Sequence, residues 1–182
     1  MGTFAAMLRS VNVGGRNRLA MTDLRTVVSS LGFADVTTYL QSGNVVFTGP
    51  GSAPAAARAI EARLAADLGL AVPVVARSAS QLRGILDANP LFSRQVDPKT
   101  VHVTFLADRP AGPSVTELER LAGQFGEDRF EVVGTHVYLH CPGGYGETKL
   151  NNAYLERRLG VTATTRNWRT VRALAELCRL QA

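Results

Sequence analysis

Lysine, cysteine and histidine are scarce in this chain, and each scarcity removes a class of function. Only Lys99 and Lys149 are lysines; the other basic residues are arginines, scattered without a block of one sign, so the chain carries no charged arm or tail. Cys141 and Cys178 are the two cysteines. They have neither CxxC spacing nor neighbouring ligands, which excludes a zinc site, and they read as small buried apolar residues rather than a disulfide. The histidines are His102, His136 and His140, so no serine of the first half has a histidine close by in sequence to activate it. His136 and His140 share one face of a strand but sit about 13 Å apart along it, too far to hold one metal. No apolar run approaches the roughly 18 residues of a membrane span. The first residues lack a basic leader and read as a strand, and Ala6 stands where a myristoylation motif needs Ser or Thr. A soluble cytoplasmic protein without membrane contact is expected.

What is present is an ordinary globular composition. Of 182 residues 46% are hydrophobic and 19% charged, with a net charge of +5 and a pI near 9.8. This suits one domain, or two small ones sharing a core, and leans toward anionic partners.

Periodicity gives the element order. Residues 3–8 form a strand, 10–18 a glycine-bearing loop, and 23–31 a helix with Thr22 as N-cap and Gly32 beyond its end. Residues 36–40 and 45–48 are strands around the turn Gln41-Ser42-Gly43-Asn44. Ser52 caps a helix with Ile60, Leu64 and Leu68 on one face, and 72–76 is a fourth strand. Ser78-x-x-Gln81 is a capping box opening a linking helix that Asn89-Pro90 ends. The same order then returns. A strand spans 101–106, and Ser114-x-x-Glu117 is a second capping box. A hairpin joins 130–133 to 136–140. A glycine-rich loop, 142–146, leads into a helix that stops at Gly160. The last strand is 161–165, and Asn167 caps a final helix.

The expected fold is α+β: two consecutive ferredoxin-like β-α-β-β-α-β halves, each followed by an extra helix, packed as one compact unit. The halves are residues 1–77 and 99–182, with 78–98 as linking helix and loop. Both helices of a half should cover one face of its sheet.

The segment Leu8-Arg9-Ser10-Val11-Asn12-Val13-Gly14-Gly15-Arg16-Asn17, with Met21, Leu24-Arg25, Leu31-Gly32-Phe33 and Thr38-Tyr39-Leu40-Gln41-Ser42-Gly43-Asn44-Val45-Val46-Phe47, resembles the bacterial domain-of-unknown-function family 1697. Lys149 and Thr165-Arg166-Asn167-Trp168-Arg169-Thr170 agree with it. Ser10 departs from the glycine usual in that family. The resemblance implies a fold and no activity.

Four segments are candidate ligand contacts. In Asn12-Val13-Gly14-Gly15-Arg16-Asn17, between strand and helix, the glycines can bring N–H groups to an anion, with Arg9, Arg16 or Arg18 adding charge; a tight connection explains the same residues. Ser42 and Asn44 either hydrogen-bond a polar ligand or serve the hairpin turn. Gly143-Gly144-Tyr145-Gly146-Glu147-Thr148-Lys149 fails as a Walker loop, since Thr148 and Leu150 occupy the glycine and Ser/Thr positions; Lys149 remains a charge at a helix start. Arg166, Asn167 and Arg169 surround the sole tryptophan. Asn167 is a cap, and the two arginines, without a structural task in the sequence, are candidate phosphate contacts. Taking the first and third strands of a half as parallel puts residues 12–17 and 42–44 at opposite ends of the sheet, about 15 Å apart.

Three readings follow. The first is a binding module for an anionic ligand, such as a nucleotide, a phosphorylated metabolite or RNA. Its β-α-β-β-α-β order is shared with RNA recognition motifs, but the aromatic strand signature is missing. The second is an enzyme acting on a phosphorylated small molecule by electrostatic positioning. The third is a scaffold or homodimer without a small ligand. No cofactor and no metal are expected, and no catalytic residue stands out.

Overall fold

The computed structural model describes residues 1–15 and 17–181. The chain divides into two units: Met1–Ile85 with Ala173–Ala182, and Leu86–Arg172. The first contains β1 (Gly2–Leu8), α1 (Met21–Ser30), β2 (Ala34–Tyr39), β3 (Asn44–Gly49), α2 (Ala53–Leu68) and β4 (Val74–Ser78), and α3 (Ala79–Asp87) begins in it. The second contains β5 (Val101–Leu106), α4 (Gly112–Arg120), a 3-10 turn (Ala122–Phe125), β6 (Arg129–Val133), β7 (His136–His140), α5 (Asn152–Leu159), β8 (Ala163–Asn167) and the start of α6 (Trp168–Leu180). The protein is a mixed α/β structure with two four-stranded antiparallel sheets, ordered β2-β3-β1-β4 and β6-β7-β5-β8.

That order corrects the expectation that the first and third strands run parallel. Met7 pairs with Asn44 and Gly2 with Gly49, so β1 and β3 are antiparallel. The cause is the split crossover. Helix α1 returns the chain parallel to β1 but one slot away, and β3 fills the slot between them, antiparallel to both. The end of β1 therefore meets the start of β3. The loop and the turn placed at opposite ends by sequence lie at the same end.

In each unit, helices and sheet enclose an apolar layer. In the first, Leu24, Val27 and Val28 of α1 and Ile60 and Leu64 of α2 pack on Phe4, Ala6, Leu8, Val45, Phe47 and Ala76. In the second, Leu118, Leu155 and Leu159 pack on Leu106, Val137, Leu139 and Ala163. The alternating residues on the opposite face of the central strands, Ala5, Met7 and Val46 in one unit and Val101, Val103 and Phe105 in the other, are also buried. The middle strands therefore read as continuous apolar runs rather than as alternation.

The two units repeat specific bonds, not only element order. The last residue of the first strand donates to the hairpin turn in both: Leu8 N to Gly43 O at 2.8 Å, Leu106 N to Thr135 O at 2.9 Å. The next residue donates to the one preceding the fourth strand: Arg9 N to Pro73 O and Ala107 N to Thr162 O, both 2.9 Å. A helix glutamate accepts from the first amide of the fourth strand: Glu61 from Val74 at 2.6 Å, Glu156 from Ala163 at 2.9 Å. Gly69 and Gly160 end α2 and α5 in the left-handed conformation.

Local chemistry accounts for most boundaries. Ser52 caps α2, Ser78 and Gln81 form a reciprocal capping box, and the Asn167 side chain accepts from Arg169 N at 2.9 Å at the start of α6. Three expectations change. Helix α1 starts at Met21, with Ala20 rather than Thr22 at the cap, and α4 starts at Gly112, so Ser114 lies inside its first turn and forms no capping box. Pro113 occupies that first turn, where its fixed φ suits a helix start. Leu68, expected on the apolar face of α2, is exposed. Among the described residues no helix is long and apolar enough to cross a membrane.

Candidate ligand-binding site

The site is built where the end of β1 meets the start of β3. Asn12 is its centre. Its Nδ2 donates to Leu19 O and Gln41 O, both at 2.8 Å, and its Oδ1 accepts from Leu19 N at 2.9 Å. One carboxamide thus ties the loop to itself and to the β2–β3 turn. Asn12 N also donates to Asn17 O at 3.2 Å, and Asn17 Nδ2 donates to Ser10 O at 3.1 Å. The loop can close this tightly because five of its residues are left-handed: Ser10, Asn12, Gly14, Gly15 and Asn17. Asparagine and glycine adopt that conformation readily; Ser10, at φ 55°, takes a shape that a glycine would take at lower cost.

The turn fits against the loop. Gly43, at φ 74°, sits so close that a Cβ there would lie 2.9 Å from Leu8 Cβ and 3.3 Å from Val11 Cβ. Asn44 is fully buried and donates to Tyr39 O at 2.9 Å and to Ser42 Oγ at 3.0 Å, closing the hairpin. Ser42 and Asn44 are thus occupied with the turn. Arg9 donates through Nη1 to Ser10 Oγ at 3.0 Å. Arg16 lies outside the described residues.

An open surface depression of about 480 Å³ lies beside this knot, lined by Asn12, Gly15, Arg18, Leu19, Ala20 and Gln41. Of the sequence-predicted residues in this unit, Asn12 and Gly15 line it; Arg9, Gly14, Asn17, Ser42 and Asn44 shape or flank the loop and turn. Arg18, one of the three arginines offered as added charge, lies in the wall, and Ala20 and Gln41 are wall residues that sequence reasoning did not rank. Antiparallel pairing of β1 with β3 was the signal that could have found them. Ala20 offers no side chain to cap the first amides of α1. Residues 9–20 and 40–43 contain three arginines and no acid.

The sequence-predicted residues of the second unit have other settings. Arg166 is 8% exposed, and its Nη1 donates to Thr164 Oγ1 and Thr165 O, each at 2.9 Å. Burial lowers its pKa to about 10, against an opposing contribution from Tyr145. Arg166 thus has the structural task that its sequence setting did not reveal. Asn167 donates to Lys99 O at 3.2 Å in addition to capping α6. Lys149 and Arg169 are exposed. The glycine-rich loop ahead of Lys149 is anchored by Thr148, which donates to Asp128 Oδ2 at 2.5 Å and accepts from Leu150 N. Tyr145 of the same loop stacks on His102, ring centres 4.8 Å apart.

Burial shifts three further groups. His102 is 7% exposed, and burial holds its pKa below the ordinary value, opposed by a backbone hydrogen bond at Thr100. Burial pushes Cys141 up to about 11 and Cys178 up to about 12, away from thiolate reactivity. Among the described residues no three of His, Cys, Asp and Glu gather as a metal site requires.

Comparison with known proteins agrees with the fold. The conserved bacterial protein SP0830 from Streptococcus pneumoniae aligns over 97% of this chain and 98% of its own, with a TM-score of 0.70 and 21% identity. No curated protein matches. The family described as "Protein of unknown function (DUF1697)" matches residues 1–138. That match includes the whole Asn12 loop and the β2–β3 turn, and by it the chain belongs to the DUF1697 family.

Proposed function

We propose that this protein is a binding module for a small anionic ligand, that each unit is a ferredoxin-like half, and that the ligand sits in the first unit beside the Asn12 loop. One observation carries the reading: Asn12 fastens the loop to the Gln41 turn, and an open depression with Arg18 in its wall lies at that junction. The cation, the exposed glycine amides and the uncapped start of α1 all favour negative charge.

The second unit strengthens the assignment by contrast. It repeats the frame, yet its connection between first strand and first helix is residues 107–111, against residues 9–20 in the first. The scaffold closes with fewer than half as many residues, so the longer loop, with three arginines against Arg109 alone, serves something other than closure.

The test is a thermal unfolding series of the full chain with inorganic phosphate, phosphosugars and nucleotides at constant ionic strength. A ligand at a hundred times its Kd adds about 2.7 kcal/mol of stability. Arg18→Ala is expected to weaken the shift at least fivefold in ligand concentration. Absence of a shift with every phosphate compound overturns the reading.

A further inference from the structure

Each four-stranded sheet has two edges, and the four edge strands of the chain are finished differently. Strands β4 and β8 are buried over most of their length. Strand β2 is kinked. Its register against β3 shifts between Ala34 and Thr37, Asp35 stands at φ 52°, and Gln181 Nε2 donates to the Asp35 carbonyl at 2.8 Å. Burial, a bulge and a plugged carbonyl all keep an edge from pairing with another chain. Strand β6 has none of the three. It pairs with β7 through five consecutive residues without a shift, it holds no proline or lysine, and its residues alternate between exposed and half-buried. Among the described residues it pairs on one side only. Charges also blunt an edge, but the two on β6, Arg129 and Glu131, are of opposite sign.

The open edge is self-complementary. The two-residue turn Gly134-Thr135 sets Val133 opposite His136 as a hydrogen-bonded pair. By alternation Glu131 and Arg129 also bond β7, and Phe130 and Val132 aim their N–H and C=O groups outward. We propose that β6 is a dimer edge and that its partner is β6 of a second copy of this chain, running antiparallel about a two-fold axis beside Phe130. In that register Phe130 meets the partner's Phe130 as a hydrogen-bonded pair. Arg129 then lies opposite the partner's Glu131, and Glu131 opposite the partner's Arg129, both in the non-bonded position where side chains come closest. Moving the axis to Glu131 sets two carboxylates opposite each other, so charge selects the register. Arg129 Nη1 donates to Gly126 O at 3.0 Å and to Asp128 O at 3.1 Å. Those bonds anchor the guanidinium at the start of the strand and leave its other nitrogens for a carboxylate. The contact is one strand wide, so the dimer is a weak one.

Sedimentation velocity of the full chain across a concentration series tests the proposal. A monomer–dimer equilibrium is expected. Glu131→Arg sets arginine opposite arginine at both contacts and is expected to weaken the dimer about tenfold. Arg129→Glu sets glutamate opposite glutamate and is expected to do the same. The double variant, Arg129→Glu with Glu131→Arg, keeps both pairs with their signs reversed, and its dissociation constant is expected to return to within about threefold of the wild-type value. Both positions are exposed, and the double variant carries both substitutions, so recovery of the dimer separates lost pairing from misfolding. A monomer at every concentration overturns the proposal. A dimer that neither single substitution weakens, or that the double variant fails to restore, overturns it as well.

Discussion

Asn12→Asp is a near-isosteric substitution that asks whether one carboxamide holds loop and turn together. Aspartate keeps the acceptor for Leu19 N but cannot donate, so the bonds to Leu19 O and Gln41 O are lost. Each is worth about 1 kcal/mol net. Because Asn12 is exposed, water can reach the released carbonyls, and the full penalty of a buried orphan does not apply. Repulsion between the carboxylate and two carbonyl oxygens adds to the loss, for a total of about 2–3 kcal/mol. Aspartate tolerates φ 55° nearly as well as asparagine, so backbone strain stays constant. Asn12→Ala removes all three side-chain bonds and adds the left-handed cost, for about 4–5 kcal/mol. Native-state hydrogen exchange is the assay, since it reads local opening without requiring a two-state transition. The amides of Leu19 and of Leu8, bonded to Gly43 O, should lose protection by roughly 30- to 150-fold in Asn12→Asp, while the equivalent Leu106 amide of the second unit should not change. Equal protection of Leu8 and Leu19 in both proteins refutes the role given to Asn12.

Three further outcomes can be checked. Gly43→Ala forces a left-handed L residue and places a methyl group 2.9 Å from Leu8 Cβ; a loss of about 2–4 kcal/mol in urea denaturation is expected. Cys141 and Cys178, pushed up to about 11 and about 12, hold at most about one thiolate in a thousand at pH 8. A thiol reagent should therefore titrate no cysteine in the native protein and both in denaturant. His102 has a folded pKa below its unfolded value near 6.5. Below that pH the unfolded chain holds the extra proton, so stability falls as pH drops from about 6.5 toward the folded value, by at most about 1.4 kcal/mol per pH unit. In His102→Gln the urea midpoint should depend less on pH between 7 and 5; an unchanged slope refutes the assignment.

Local rules read well from this sequence, and pairing read poorly. The Ser78–Gln81 box, the Ser52 and Asn167 caps and the left-handed Gly69 and Gly160 all depend on residues a few positions apart. The direction of β3 against β1 depends on one crossover through α1 followed by a hairpin, and no local pattern encodes it. That single relation decided the site. With it misread, Asn12 and Gln41 belonged to different places, although both stood in the segments singled out. Arg166 shows the opposite limit. Its sequence setting offered it no partner, and only the register of β8, which places it opposite Val103 with Thr164 beside it, reveals where the guanidinium is held.

The division of the chain has a consequence for its synthesis. The first unit takes its last residues from the far end of α6. Thr3 Oγ1 donates to Gln181 O, and Gln181 Nε2 donates to Asp35 O and Thr37 Oγ1. A nascent chain therefore has nearly all of this unit in hand early, yet must wait for Gln181 to be made before the edge strand β2 gains these partners. The first unit is sealed by residues made after the second. A substitution at Gln181 then acts not on the second unit, beside it in sequence, but on the part of the chain made earlier.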